Sequence, residues 1–240
     1  MTSPNAAVTQ QNEMSNSPQP DKQQTQQSDQ TVNAPSTTVA TPMLDERFMR
    51  SPEQQYRAGA YSLLAALMRE VPTANTLAVA AALEAESHDQ DELATTMSML
   101  GLAAQHVDPD ALDDEYHALF IGLGRGEIVP YGSWYLTGFL MEKPLGLLRD
   151  DLAKLGFERD PSVKEPEDHV AALCEVMAML IDDGQTTHTQ SQFFMQHMSK
   201  WLDQFFTDLT QAKSASFYQA VARFGAAFIA FERQYFGLEL

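Results

Sequence analysis

Three carboxylates and one imidazole lie together in a short segment of the chain, Glu165-Pro166-Glu167-Asp168-His169. Side chains of these types can bind a divalent metal ion or act as general acids and bases. Two ligands on a metal-binding helix normally stand three or four residues apart, but Ala172 and Leu173 occupy those positions after His169. The motif Glu-x-x-His occurs nowhere in the chain. The spacing therefore gives no support to a dinuclear carboxylate site.

The same segment also suits the start of a helix. Pro166 favours a first helical turn, and the acidic side chains complement the positive end of the helix dipole by about 0.3–1 kcal/mol each. This structural role explains the acids but not why His169 follows them. A structural and a functional role for His169 both remain open, and a helical metal-dependent hydrolase that uses Asp168 and His169 is one alternative.

A second unusual segment, Val129–Leu136, contains Tyr131, Trp134 and Tyr135 together with a proline and a glycine. Packing of a loop against the core accounts for such a composition. Tyrosine and tryptophan are also common on peptide-binding surfaces, because they provide a large contact area at a small entropic cost. The residues alone leave both interpretations open.

Two further features offer weaker chemistry. Cys174 lies on an apolar helix face without a nearby cation to lower its pKa, which is typical of a small packed side chain. Gly122, Gly124 and Gly126 follow no predicted strand and precede no Gly-Lys-Ser/Thr motif. We therefore expect a bend at these glycines and not a phosphate-binding loop.

The elements that must position these residues are predicted to be helices. From Ser51 onward, apolar residues recur at spacings of three and four, and alternating strand patterns are nearly absent. Ser51 and Asp108 are predicted N-caps, each followed by a proline, and Gly156 is a predicted helix end. We expect an all-α fold, one helical bundle of about nine helices over residues 43–240. Its predicted helices include Thr73–Glu86, Asp89–Ala104, Pro144–Leu155, a helix from Pro166 to about Gly184, Thr189–Thr210 and Ser214–Phe236.

Composition excludes several classes of protein. The 240 residues include 15 Lys and Arg against 33 Asp and Glu, and the resulting net charge of −18 argues against binding to nucleic acid or to an anionic membrane. One cysteine forbids an intramolecular disulfide, and no apolar run approaches the ~18 residues of a membrane helix, so a soluble cytoplasmic protein is expected. Of residues 1–42, 29 are Gln, Thr, Ser, Pro or Asn and none is aromatic, which predicts a disordered tail.

Several of these motifs together make the chain resemble a known family. The sequence contains Tyr116-His117-Ala118-Leu119-Phe120-Ile121-Gly122, then Pro130-Tyr131-Gly132-Ser133-Trp134-Tyr135-Leu136, then Glu165-Pro166-Glu167-Asp168-His169, and finally His197 with Trp201. In this order, they resemble the signature of the TorD/DmsD/NarJ family of redox-enzyme maturation chaperones. The similarity covers most of residues 50–236.

The resemblance implies a cytoplasmic all-α chaperone that is not an enzyme and needs no cofactor. It implies that the partner is the apo form of a molybdenum cofactor-dependent oxidoreductase together with its twin-arginine leader peptide, held as a monomer or a helix-swapped dimer. The segment Thr137–Pro144 departs from several relatives, and Met141-Glu142-Lys143-Pro144-Leu145 is most similar to chaperones of periplasmic formate dehydrogenases. The positions that the resemblance marks for client binding are Tyr116, Pro130, Tyr131, Ser133, Tyr135, Glu165, Asp168 and His169.

A mechanistic hypothesis follows for these positions. Asp168 and His169 would meet basic or backbone groups of the leader, while Tyr131 and Tyr135 would line the apolar part of a groove. An acidic helical protein with an aromatic loop complements a leader that is basic at its start and apolar afterwards. Besides the metal-dependent hydrolase, a structural adaptor that binds a folded partner remains an alternative.

Overall fold

The computed structural model describes residues 51–83, 91–122, 124–159 and 163–238, and it confirms the all-α prediction. The disordered tail expected at residues 1–42 lies outside the described residues. Within them there are ten α-helices and no strand, so the prediction of about nine helices was close. The helices are α1 Pro52–Arg69, α2 Ala74–Ala81, α3 Glu92–His106, α4 Pro109–Tyr116, α5 Gly132–Thr137, α6 Lys143–Lys154, α7 Val170–Asp182, α8 Thr187–His197, α9 Leu202–Gln211 and α10 Phe217–Leu238.

The predicted N-caps at Ser51 and Asp108 and the predicted helix end at Gly156 are confirmed, whereas the helix predicted at Thr73–Glu86 already ends at Ala81. The Ser51 side chain accepts a hydrogen bond from the Gln54 N–H at 3.2 Å, and Asp108 accepts one from the Asp110 N–H at 2.9 Å. Gly156 follows α6 in the left-handed conformation, with a φ of 84°. These caps depend only on residues within a few positions of each other, which is why the sequence predicts them.

The single helix predicted at Thr189–Thr210 is wrong, because the chain forms α8 and α9 there with a break at Met198–Trp201. The Trp201 indole N–H donates to the His197 carbonyl at 2.7 Å, and the Ser199 N–H donates to the Phe194 carbonyl instead of continuing the helical pattern. The break turns Trp201 into the core, where it is 2% exposed. Apolar spacing continues across the break, so periodicity alone could not reveal it.

A bend follows α4, as the glycines predict. The chain after α4 makes one π-helical turn, His117–Ile121, and then leaves the helix at Gly122, whose φ is 59°. A Cβ atom at Gly126 would lie 2.4 Å from the Leu119 carbonyl oxygen, so only glycine fits where the returning chain meets this turn. The returning chain is held by the Ile128 N–H, which donates to the Leu119 carbonyl at 2.8 Å. The loop expected at residues 129–136 is wrong for most of that segment, because Gly132–Thr137 forms α5 once its first N–H is bound to the Asp168 carbonyl.

The core is built on a pair of helices, α1 and α7, and on α10, which packs on α3 and α9. Arg57 of α1 is fully buried and forms a bidentate ion pair with Glu232 of α10. The distances are 2.6 Å from Nε to Oε1 and 2.7 Å from Nη2 to Oε2. Its guanidinium also donates to Gln190 of α8 at 2.8 Å. Cys174 is fully buried in α7 and burial raises the pKa of its thiol, in agreement with its predicted role as a packed side chain.

Two acidic side chains that are distant in sequence accept hydrogen bonds from the backbone at and just before the N-terminus of α10. The Glu115 carboxylate of α4 accepts hydrogen bonds from the backbone N–H groups of residues 216, 217 and 218, at 2.8–3.0 Å. Glu127 accepts two more from residues 213 and 214, and the first of these bonds is the main cause that lowers its pKa. Among the described helices, none is long and apolar enough to cross a membrane.

Candidate functional site

Backbone hydrogen bonds join the two sequence motifs. The Gly132 N–H donates to the Asp168 carbonyl at 2.9 Å, and the Val170 N–H donates to the Pro130 carbonyl at 2.9 Å. Between these bonds, Tyr131 and His169 form an isolated antiparallel bridge. We refer to residues 130–132 and 168–170 as the junction, and both α5 and α7 begin there.

The junction decides where α7 begins. The prediction that Pro166 occupies the first turn of this helix is wrong, because α7 begins at Val170 and His169 is its N-cap. The Asp168 carbonyl and the Val170 N–H are both engaged with residues 130–132, so the chain before His169 cannot adopt helical geometry. The acidic residues of this segment therefore precede the helix as a turn instead of lying in its first turn.

His169 has a defined tautomer. Its Nδ1 accepts the Ala171 N–H at 3.1 Å, which leaves the proton of the neutral ring on Nε2. Burial lowers the pKa of His169 to about 4, with Arg69 lowering it further and Glu165 opposing the shift. The ring packs edge-on against Tyr131, with 5.1 Å between the centroids. At neutral pH, His169 is thus an uncharged hydrogen-bond donor through Nε2.

Asp168 is almost fully enclosed, with 3% exposure. Its Oδ2 accepts the Ser133 backbone N–H at 2.7 Å, which ties it to the first turn of α5. Its Oδ1 and the Ser133 hydroxyl oxygen are buried, and neither has a hydrogen-bond partner among the described residues. Two polar atoms that a ligand could satisfy therefore stand at one side of the junction.

Glu165 and Tyr131 form the exposed edge of the site. The Tyr131 hydroxyl donates to Glu165, and burial together with this hydrogen bond raises the pKa of Tyr131. The tyrosine therefore stays protonated, and the carboxylate is held beside the ring that packs on His169. Pro130, which precedes Tyr131, is buried.

Tyr135 and Tyr116 lie beside the junction. The Tyr135 N–H donates to the Tyr131 carbonyl at 3.3 Å, and Glu165 is, after burial, the next cause that raises the pKa of Tyr116. The Tyr135 ring stacks on Trp201, with 5.5 Å between the centroids, and its hydroxyl donates to Asp208 at 3.2 Å. Tyr116 is 7% exposed, its hydroxyl donates to the Met68 carbonyl at 3.5 Å, and burial raises its pKa to about 12. These contacts hold α5 against α9 and join Tyr116 to α1.

Two cavities of about 400 Å³ each flank the junction. Cavity A lies on the side of Glu165 and His169, and cavity B lies on the side of Ser133 and Asp168. The structure thus divides these four predicted site residues between two neighbouring cavities. Tyr131 and Tyr135, which were predicted to line an apolar groove, are not among the residues that line either one.

Cavity A contains residues that the sequence analysis missed. Its floor is apolar, and three arginines line it: Arg69, Arg149 and Arg159. Arg69 pairs with Glu175, while Arg149 donates to Glu167 at 2.9 Å. The arginines come from α1, α6 and a loop, and no local pattern in the sequence indicates that they converge.

The described residues offer no basis for a metal centre. Within residues 51–83, 91–122, 124–159 and 163–238, no three His, Cys, Asp or Glu side chains come together as a metal ion requires. The Nδ1 atom of His169 is engaged with the backbone, and Oδ2 of Asp168 is engaged with Ser133. Nothing in this geometry supports the hydrolase alternative.

Comparison with known proteins identifies relatives of this chain. Residues 77–207 match the protein family described as nitrate reductase delta subunit. The matched range includes the junction and helices α5–α8, whereas Arg69 of α1, which lines cavity A, precedes it. A chaperone protein TorD from Vibrio cholerae serotype O1 is 34% identical over 122 residues, which cover 46% of this chain and 56% of the relative. A chaperone protein TorD from Actinobacillus pleuropneumoniae serotype 3 is 28% identical over 116 residues, covering 48% and 58%.

The matched part of the chain spans little more than half the length of these curated relatives. Their names are those of chaperones and not of enzymes. A solved structure of a protein from Archaeoglobus fulgidus, described as a redox enzyme maturation protein, has a similar fold, with a TM-score of 0.52 and 20% identity. The similarity covers 76% of this chain and 96% of that one.

Proposed function

The chain belongs to the nitrate reductase delta subunit family, in agreement with its resemblance to TorD/DmsD/NarJ chaperones, and from this we propose that it is a redox-enzyme maturation chaperone. It binds the apo form of a molybdenum cofactor-dependent oxidoreductase through the twin-arginine leader of that client. It holds the client in the cytoplasm until the cofactor is inserted, and then releases it for export.

The observation that carries this proposal is the junction. Two segments that are 36 residues apart in sequence are joined by backbone hydrogen bonds between two cavities. The side chains there offer hydrogen-bond donors and acceptors to a ligand, among them the Ser133 hydroxyl and Asp168 Oδ1. Cavity B combines an apolar wall with a few polar groups, which is the composition of a binding site for a peptide or small ligand. Cavity A combines apolar residues with arginines and glutamates, which can bind the charged and polar groups of such a ligand. Such a composition suits a site that binds a ligand reversibly.

We propose that His169 forms a hydrogen bond with the backbone of the leader. Its ring is neutral at pH 7, and Nε2–H can donate to a peptide carbonyl without the cost of burying a charge. Glu165, which is exposed beside it, can accept from a basic side chain of the leader. The net charge of −18 speeds the encounter with a basic leader, while the cavities supply specificity.

A periplasmic formate dehydrogenase is the client that we propose. The support comes from the segment Met141-Glu142-Lys143-Pro144-Leu145, which is similar to chaperones of those enzymes. Co-expression with the precursor of that enzyme, followed by affinity capture, tests this choice. We expect capture of the apo-precursor and none of the mature enzyme that lacks the leader, and equal capture of both would contradict the proposal.

The site assignment is tested by calorimetry with the full chain. The probe is a synthetic peptide with two adjacent arginines followed by about 12 apolar residues. The test variant is His169→Asn, because asparagine is a good N-cap and preserves the start of α7 while it removes the imidazole. We expect the dissociation constant to rise about five- to tenfold, as the loss of one hydrogen bond in an enclosed site predicts.

His106→Asn is the matched control, since His106 is an exposed histidine on α3 that hydrogen-bonds the Leu102 carbonyl. It should bind the peptide as the wild type does. If the wild-type chain binds no twin-arginine peptide, the proposed function fails. If it binds and His169→Asn has the same affinity, the function stands but the site assignment is wrong.

A further inference from the structure

The turn between α5 and α6 exposes three consecutive apolar side chains. Phe139 is 67% exposed, Leu140 48% and Met141 71%. Single exposed apolar residues are common on protein surfaces, but a contiguous group of large ones marks an interaction surface. We refer to residues 139–141 as the apolar turn.

The apolar turn has a defined conformation. The Thr137 hydroxyl donates to the Ser133 carbonyl at 2.8 Å and accepts the Phe139 N–H at 3.2 Å. Gly138 ends α5 in the left-handed region, with a φ of 83°. Met141 has a φ of 58° and is the only non-glycine residue with positive φ within the described ranges. The fold therefore accepts local backbone strain where it presents these side chains to solvent.

The apolar surface continues from the turn into cavity B. Leu136 and Leu147 are 40% and 52% exposed, and both also line that cavity. Leu136 precedes the apolar turn on α5, and Leu147 follows it on α6, so the turn extends from the rim of the cavity. A ligand that covers the turn can thus place part of its apolar surface in cavity B.

Cavity B is also lined by residues with buried polar atoms that a ligand could hydrogen-bond. Ser133 and Asp168 line it, and the Ser133 hydroxyl and Asp168 Oδ1 are buried without a partner in the part of the chain that the structure describes. A buried carboxylate oxygen without a donor is costly, and a ligand that supplies an N–H group removes this cost. A purely apolar ligand such as a lipid chain has no donor to offer.

We propose that the apolar turn and cavity B bind the apolar segment of the client's leader, with one backbone N–H of the leader donating to Asp168 Oδ1. This inference rests on the proposed function and names the surface that recognises the part of the leader after its arginines. A net charge of −18 favours a peptide that carries basic residues over an anionic membrane surface as the occupant. Cavity A, with Glu165 and His169, remains for the segment that precedes it.

Calorimetry with two peptides tests the apolar contact. One peptide has two arginines followed by an apolar segment, and in the other, serine and glutamine replace the apolar residues. The variant F139S/L140S/M141S should raise the dissociation constant of the first peptide by about tenfold or more, because several buried apolar contacts are lost. It should not change the weak binding of the second.

The matched control is V79S/L102S, which removes apolar side chains of 51% and 58% exposure from α2 and α3. This variant should bind the first peptide as the wild type does.

Met141→Gly adds a sharper measurement, since glycine relieves the positive φ and should raise the melting temperature while it weakens peptide binding. A gain in stability with a loss of affinity cannot arise from damage to the fold.

Asp168→Asn tests the polar contact. The amide oxygen can still accept the Ser133 N–H, but an NH₂ group then stands at the position of Oδ1 and cannot accept from the leader. We expect about tenfold weaker binding of the first peptide with an unchanged circular dichroism spectrum.

The outcomes separate the inference from the function on which it rests. If the wild type binds neither peptide, the proposed function fails. If the wild type binds the first peptide and F139S/L140S/M141S binds it within twofold, the inference is overturned and the function stands. If sedimentation shows a wild-type dimer that this variant dissociates without loss of peptide affinity, a second copy of the chain covers the turn, and the inference is likewise overturned.

Discussion

At the scale of single residues, His169 combines two roles that the sequence analysis treated as alternatives. Its Nδ1 caps α7, and the same hydrogen bond leaves the proton on Nε2 at the wall of cavity A. The structural and the proposed functional role are therefore linked, because the cap selects the tautomer that can donate to a ligand.

The depressed pKa of His169 predicts a pH dependence of stability. The folded-state pKa is about 4, below the ordinary histidine value of 6.5, so between these pH values the unfolded chain binds a proton that the folded chain does not. The free energy of unfolding should thus decrease as pH falls from 6.5 to 4, by up to about 3 kcal/mol from this group. Urea unfolding across this range measures the loss.

The variant His169→Asn isolates the contribution of this group. It keeps an N-cap but cannot titrate, so its free energy of unfolding should fall less steeply with decreasing pH than that of the wild type. Burial also lowers the pKa of His197, and this second contribution is common to both proteins. Parallel curves for wild type and variant would show that His169 does not have the environment described here.

At the scale of elements, the packing of α10 on α9 depends on the absence of a side chain at Gly225. A Cβ atom there would lie 2.2 Å from Cε1 of Phe206, which is fully buried in α9. Glycine normally weakens a helix, so its presence inside α10 reflects this close approach of the two helices.

Replacement of two helical glycines should therefore have opposite effects. Gly225→Ala should lower the free energy of unfolding by about 1–3 kcal/mol, because overpacking against Phe206 outweighs the gain in helix propensity. Gly59→Ala in α1, where no atom lies within 4 Å of the added Cβ, should raise it by about 0.5–1 kcal/mol. Urea unfolding compares the two with the wild type, and a stabilised Gly225→Ala would refute the packing described for α9 and α10.

At the scale of the whole molecule, the acidic surface and the buried ion pair of Arg57 have separate roles. The described surface carries most of the acidic residues, while Arg57, which is fully buried, is neutralised by Glu232 and covered by the Tyr235 ring at 4.0 Å. This cluster joins α1, α8 and α10. The long-range field of the protein is therefore that of its acidic surface.

That field predicts the salt dependence of leader binding. The association rate of a twin-arginine peptide should fall severalfold as the salt concentration rises from about 20 to about 200 mM, since screening shortens the range of the attraction to roughly a nanometre. The dissociation rate should change little, because the cavities and not the net charge hold the bound peptide. Stopped-flow fluorescence measures both rates, and a salt-independent association rate would contradict electrostatic steering.

The sequence by itself determined the features that depend on neighbours along the chain. Helical periodicity, the caps at Ser51 and Asp108 and the left-handed Gly156 involve contacts within a turn or two, so all of them could be predicted. The family resemblance could also be recognised from the sequence, since each of its motifs consists of contiguous residues.

Only the tertiary structure decided how those motifs act together. The start of α7 at Val170, the neutral tautomer of His169 and the unpaired Oδ1 of Asp168 all follow from contacts between residues 130–133 and 168–171 or from burial. The break before α9 depends on the place that the core offers to Trp201. Such contacts join residues far apart in the chain, and no local pattern encodes which of them meet, because the free energy of burial depends on the assembled core.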